Sequence, residues 1–136
     1  MIKVLVVDDS PTTSALLKHI LEADPDVTVV GMAVNGKQAV QMSVELLPDV
    51  VTMDVVMPDM NGVEATRRIM AMAPVPIVVV TAHADSEEPK VAFEALKAGA
   101  LEVVAKPVDT ARAAVDAWGK CLLNTVKAVA AVELNC

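Results

Sequence analysis

Apolar residues recur along this chain in two alternating patterns, short near-continuous runs and stripes at helical spacing. Ile2–Val7, Val27–Val34, Val50–Met53, Ile77–Val80 and Leu101–Val104 are rich in Val, Ile and Leu, and so predict strands buried on both faces. Gly31 interrupts the second of these and places it nearer a sheet edge. Between the strands, Leu16, Leu17, Ile20 and Leu21 make a first helical stripe, with Ser10-Pro11 as N-cap and first helical residue and Asp24-Pro25-Asp26 as the stop. Asn35 with Gln38 three residues on reads as a capping box for a helix carrying Val40, Val44 and Leu47, which Pro48 ends. Asn61 with Glu64 opens a third helix, carrying Val63, Ile69 and Met70. Ser86 with Glu87 and Glu88 opens a fourth, which closes at Gly99. Asp109 caps a fifth, with Val115, Trp118, Leu122, Val126 and Val129 on one face. Five strand–helix pairs with short connections imply an α/β fold, a parallel sheet covered by helices on both faces.

Composition narrows the class of protein. At 136 residues, 54% of them hydrophobic, the chain suits one domain with a sizeable core and excludes general disorder. Phe93 and Trp118 are its aromatic residues, so the core is aliphatic with methionine as filler. A net charge of −7 without any Lys/Arg run argues against direct nucleic-acid binding. Cys121 and Cys136 lack metal-site or CxxC spacing and read as reduced thiols. Met1-Ile2-Lys3 runs straight into a strand and no apolar run approaches the ~18 residues that span a bilayer, so a cytoplasmic location with no membrane association is expected.

The chemistry lies at the carboxyl ends of the strands. The first strand ends in Asp8-Asp9, the third in Asp54, the fourth in Thr81 and the fifth in Lys106. Singly, each of these is commonly a cap or a solvated group; together they occupy the end of an α/β sheet where ligands bind. Three carboxylates in one crevice repel, which calls for a cation, and an all-oxygen donor set favours Mg²⁺ over zinc or copper. An ionised Asp54 then suits attack on phosphorus, with Lys106 and Thr81 holding the transferred oxygens by charge and hydrogen bond.

Asp8-Asp9, Asp54 before Met57-Pro58 and Asn61-Gly62, Thr81, and Lys106-Pro107 together resemble the receiver domain of bacterial two-component response regulators, over residues 2 to 125. The resemblance implies a flavodoxin-like (βα)5 fold with strand order 2-1-3-4-5. It also implies phosphorylation of Asp54 from a phosphohistidine on a sensor histidine kinase. Mg²⁺ would be held by Asp9, Asp54 and the Val56 carbonyl, with Asp8 acting directly or through water; Thr81 would be the switch hydroxyl and Lys106 the phosphate-binding cation. Asp-Val-x-Met-Pro at 54–58, Ala-Leu-x-Ala-Gly-Ala at 95–100 and Val104-Ala105-Lys106-Pro107 look most like the receivers of chemotaxis methylesterase regulators.

Two positions depart from the family pattern. Val103 stands where the family has Tyr, Phe or His, so an aromatic partner for the threonine switch is missing. Val56 is apolar where a polar residue is common and, with His83, lines the approach of a hydrolytic water, which predicts a long-lived acyl phosphate. Domain organisation is expected as a receiver at 1–125 and, at 126–136, an extension of the last helix or a linker stub. Val126, Val129 and Val132 there would offer a partner or homodimer surface continuous with the fourth helix, fifth strand and fifth helix, the face expected to meet an output domain or downstream protein. Three functions are weighed: a switching receiver that catalyses only its own phosphorylation and dephosphorylation, a Mg²⁺-dependent aspartyl-phosphate phosphatase, and a constitutive interaction module. The complete acid set with Lys106 favours the first, and the lack of a cap domain counts against the second.

Overall fold

A computed structural model of the chain describes residues 1–54, 57, 60, 62–81, 88–106 and 111–131, with backbone alone at 81 and 88–92. Five strands, β1 (Ile2–Val7), β2 (Val27–Ala33), β3 (Val50–Met53), β4 (Ile77–Thr81) and β5 (Glu102–Ala105), form one parallel sheet of order β2-β1-β3-β4-β5. Five helices connect and follow them: α1 (Pro11–Glu22), α2 (Gly36–Leu46), α3 (Gly62–Met72), α4 (Glu88–Ala98) and α5 (Arg112–Ala130). This is the flavodoxin-like order expected from the sequence, with β2 and β5 as edges. Among the described residues no helix is long and apolar enough to cross a membrane.

Strand residues alternate between two cores. Val4, Val6, Val50, Val78, Val80 and Val104 meet Leu17 and Leu21 of α1 and Leu122, Val126 and Val129 of α5. Leu5, Val7, Val51, Met53, Ile77 and Val79 meet Ala39 of α2, Val63, Ala65 and Ile69 of α3, and Ala95 of α4. Within the inner strands, Val4–Val7, Val50–Met53 and Ile77–Val80 are all removed from water, which is why these strands read as runs rather than alternations.

Local chemistry sets the helix boundaries. Ser10 caps α1, its Oγ accepting from the Thr13 N–H at 3.3 Å, and Pro11 follows. Asn35 caps α2, accepting from the Gln38 N–H at 2.8 Å; the Gln38 side chain reaches back one residue further than a capping box, to the Val34 N–H at 3.0 Å. At the end of α4 the N–H groups of Gly99 and Ala100 donate to the carbonyls of Leu96 and Ala95, a Schellman pattern that Gly99 permits with φ +129°.

Four expectations need correcting. The buried face of α2 is Ala39 and Ser43, flanked by half-buried Val40, Met42 and Leu46, whereas Val44 and Leu47 are 42% and 64% exposed. The side chains that reach β2 from the margin of this face are Met42 and Leu46, which pack over Gly31, where an added Cβ would lie 2.6 Å from the Met42 methyl carbon and 2.9 Å from Leu46 Cδ1. In α1, Leu16 faces outward at 36% exposure. α5 opens at Arg112 after Ala111, which makes no side-chain cap bond; the expected caps Asp109, Ser86 and Asn61 lie outside the described residues. Finally, Val126 and Val129 of α5 are buried in the core rather than presented as a partner surface.

Candidate functional site

The first helix lies on one face of the sheet and α2 to α4 on the other, so the winding reverses between β1 and β3. A crevice opens where adjacent connections leave in opposite directions, and it is here that Asp8 and Asp54 emerge. Both acids are pinned to the sheet by backbone bonds that continue the ladder beyond the strands: Asp8 N–H to the Ala33 carbonyl at 3.0 Å and Asp54 N–H to the Val7 carbonyl at 2.9 Å.

Asp8 is held from two further directions. Its Oδ1 accepts from the Ser10 N–H at 2.8 Å, at the mouth of α1, and the Ser14 hydroxyl donates to its carbonyl at 3.4 Å. Asp8 and Asp54 are 1% and 4% exposed, while Asp9 faces solvent. Lys106, one residue past β5, extends its ammonium to 3.1 Å from Asp8 Oδ2 and 3.9 Å from Asp54 Oδ2.

One carboxylate oxygen from each of Asp8, Asp9 and Asp54 lies within 4.8 Å of the others. At that separation each pair of charges repels by about 3–4 kcal/mol at an effective dielectric of 20. A single ammonium offsets only part of this. Asp8 Oδ2 is also buried without a well-aligned hydrogen-bond donor among the described residues, although the Lys106 ammonium lies at ion-pair distance. Buried carboxylate oxygens of this kind are completed by a cation. The donor set is all oxygen, with a solvent-facing member in Asp9, which suits a hard divalent ion that keeps water ligands and does not suit zinc or copper. The residues present therefore fit Mg²⁺.

Of the residues singled out from the sequence, the fold brings Asp8, Asp9, Asp54 and Lys106 together. Thr81 ends β4 beside Ala105 in the β4–β5 register, which places its backbone at the same end of the sheet. Val56 and His83 lie outside the described residues. Val103 is half-buried against the core on the α2–α4 side. One contact was not foreseen: the Trp118 indole N–H of α5 donates to the Ala105 carbonyl, in the peptide unit that leads into Lys106. The helical spacing of Trp118 showed that it packs on the sheet, and nothing in the sequence specified where its N–H points.

Comparison with known proteins agrees with this geometry. Residues 4–115 match the family described as the response regulator receiver domain. The protein-glutamate methylesterase/protein-glutamine glutaminase 1 of Syntrophus aciditrophicus (strain SB) is 48% identical over 134 residues, 98% of this chain and 38% of that protein. The protein-glutamate methylesterase/protein-glutamine glutaminase 2 of Methanospirillum hungatei JF-1 is 50% identical over 107 residues, 79% of this chain and 31% of that protein. The chain thus spans less than two fifths of the length of these relatives. The crystal structure of the response regulator domain of Thermotoga maritima CheB superposes with a TM-score of 0.87 at 37% identity, covering 98% of this chain and 99% of that one.

Proposed function

The chain belongs to the response regulator receiver family, and from that premise we propose that Asp54 is its phosphoacceptor, served by Asp8, Asp9 and Lys106 and fed by a phosphohistidine on a sensor kinase. The observation that carries this reading is Lys106, whose ammonium lies between two buried carboxylates at the end of the central strands. A lysine so placed meets an oxygen that is transferred to Asp54.

The reaction needs no proton from Asp54. An ionised Oδ of Asp54 forms the bond to phosphorus as the phosphorus–nitrogen bond to the donor imidazole breaks, and the electron pair of that bond leaves with the imidazole. Lys106 moves from carboxylate to phosphoryl oxygen as charge shifts onto the new group. Asp8, fixed by the Ser10 N–H, and the solvent-facing Asp9 would hold Mg²⁺ with Asp54 and the Val56 carbonyl. When bound, the ion supplies positive charge to the carboxylates and the phosphoryl oxygens together. The Thr81 hydroxyl is the switch donor on this reading, and Val56 with His83 sets access for the water that ends the signal.

The phosphorylated state passes to an effector across α4, β5 and α5, where Phe93 and Leu96 are 57% and 38% exposed. Given the relatives' names, that effector is a protein-glutamate methylesterase catalytic domain. Incubation with Mg²⁺ and acetyl phosphate should give a hydroxylamine-labile adduct of one phosphoryl group on Asp54, absent in Asp54→Asn and in EDTA. Rapid turnover of the donor without an adduct would instead fit a phosphatase, and a wild-type protein that takes no phosphoryl group is an inert module.

A further inference from the structure

Lys106 follows β5, an edge strand with β4 as its strand neighbour. The carbonyl of Ala105, the last strand residue, accepts a hydrogen bond from the Trp118 indole. The helix that carries the indole is itself well anchored, with Leu122 and Val126 of α5 fully buried. A donor fixed to a packed helix therefore holds the peptide unit from which Lys106 departs. That matters because an ammonium on a flexible four-carbon stem is placed only as well as its backbone, and a displacement of about 1 Å costs a reacting group on the order of a hundredfold.

We infer that Trp118 is a positioning residue for Lys106, holding the Ala105–Lys106 peptide in register with Asp8 and Asp54 and making α5 sensitive to what the ammonium binds. The inference rests on the phosphoacceptor reading of Asp54. It concerns a residue that touches neither the phosphoryl group nor the metal ligands.

Two variants separate the hydrogen bond from packing. Trp118→Phe keeps an aromatic ring without the donor, and Trp118→His keeps a ring N–H. After thermal melts establish that each is folded, the rate of adduct formation on Asp54 is followed by mass spectrometry across acetyl phosphate and Mg²⁺ concentrations. The maximal rate of Trp118→Phe should fall about fivefold, the scale of one hydrogen bond. The Mg²⁺ concentration for half-maximal rate should not move, and Trp118→His should recover part of the loss. Equal maximal rates in wild type and Trp118→Phe, or a loss that histidine does not lessen, would overturn the inference. Absence of an adduct on wild-type Asp54 would remove the phosphoacceptor reading and this inference with it.

The wild-type protein provides a second readout, since Trp118 is the single tryptophan of the chain. Beryllium fluoride with Mg²⁺, an analogue of the phosphoryl group, should shift its emission in wild type and not in Asp54→Asn. Unchanged emission in protein shown by fluorine NMR to hold the analogue would also overturn the inference.

Discussion

The two faces of the sheet are packed by different means. Beneath α1 and α5 the helices contribute large side chains, Leu17, Leu21 and Leu122, to a floor of valines. Beneath α2, α3 and α4 they contribute Ala39, Ala65 and Ala95 beside Val63 and Ile69, with Met42 and Met70 on these helices and Met60 ahead of α3 filling the margins. The first face is filled by large aliphatic side chains, and the second mixes small residues with flexible thioethers that take up the mismatch. The second face also leaves Leu47, Met72 and Phe93 more than half exposed.

Substitutions should expose this difference, in decreasing order of effect. Leu122→Ala opens a cavity in the volume-packed face and should cost about 3 kcal/mol, read as a lower denaturant midpoint at unchanged slope. Gly36→Ala tests the second face, because its Cβ would lie 2.5 Å from the Met60 carbonyl oxygen and 2.7 Å from Met60 Cβ. Backbone has to shift, at about 2 kcal/mol, and since Met60 lies in the connection after Asp54, the Mg²⁺ concentration for half-maximal phosphorylation should rise as well. Met70→Leu, at the adaptable margin, should cost only about 0.5 kcal/mol; a cost matching that of Leu122→Ala would erase the distinction.

The smallest effect concerns the ion pair that ties α5 to the end of α1. Lys127 Nζ lies 2.8 Å from Asp24 Oδ2, and the Asp26 N–H donates to the other oxygen at 2.8 Å. The hydrogen bond from Lys127, reinforced by that N–H, lowers the Asp24 carboxyl below its ordinary value of 3.8, and Asp24 raises Lys127 above 10.5. A lowered carboxyl contributes above its unfolded value and is lost as pH falls through the folded one; a raised ammonium contributes below its unfolded value and is lost as pH rises through the folded one. Wild type and Lys127→Met should therefore differ slightly in denaturant midpoint across neutral pH. The two should converge once Asp24 is protonated, and a gap that persists in acid would rule out the pair.

Much of this architecture was legible because strands buried on both faces leave continuous apolar runs. Ile2–Val7 and Val50–Met53 were read with the bounds they have. The site was legible for a related reason: acids at the ends of such runs have no packing role, and Asp8, Asp54 and Lys106 do converge. Faces of helices were harder. In α2 two stripes one residue apart both have helical spacing, and counting apolarity chose Val40, Val44 and Leu47 over the Ala39–Ser43 face. What decides between them is which side chains fit over β2, where Met42 and Leu46 occupy the space that Gly31 leaves, a property of two elements that local periodicity does not encode. The same limit applied to Val126 and Val129, whose neighbours Val4 and Leu21 are more than a hundred residues away in the chain.

The two sheet edges share a property with consequences for assembly. On β2 the pairing with β1 passes from Val29 to Gly31, leaving Val30 out of register, and on β5 the last carbonyl is taken by an indole. An unbroken edge of donors and acceptors templates the addition of foreign strands, and a bulge or a side-chain cap interrupts that template. Each margin of this sheet is blunted in its own way, so copies of the domain at high local concentration are discouraged from zipping edge to edge.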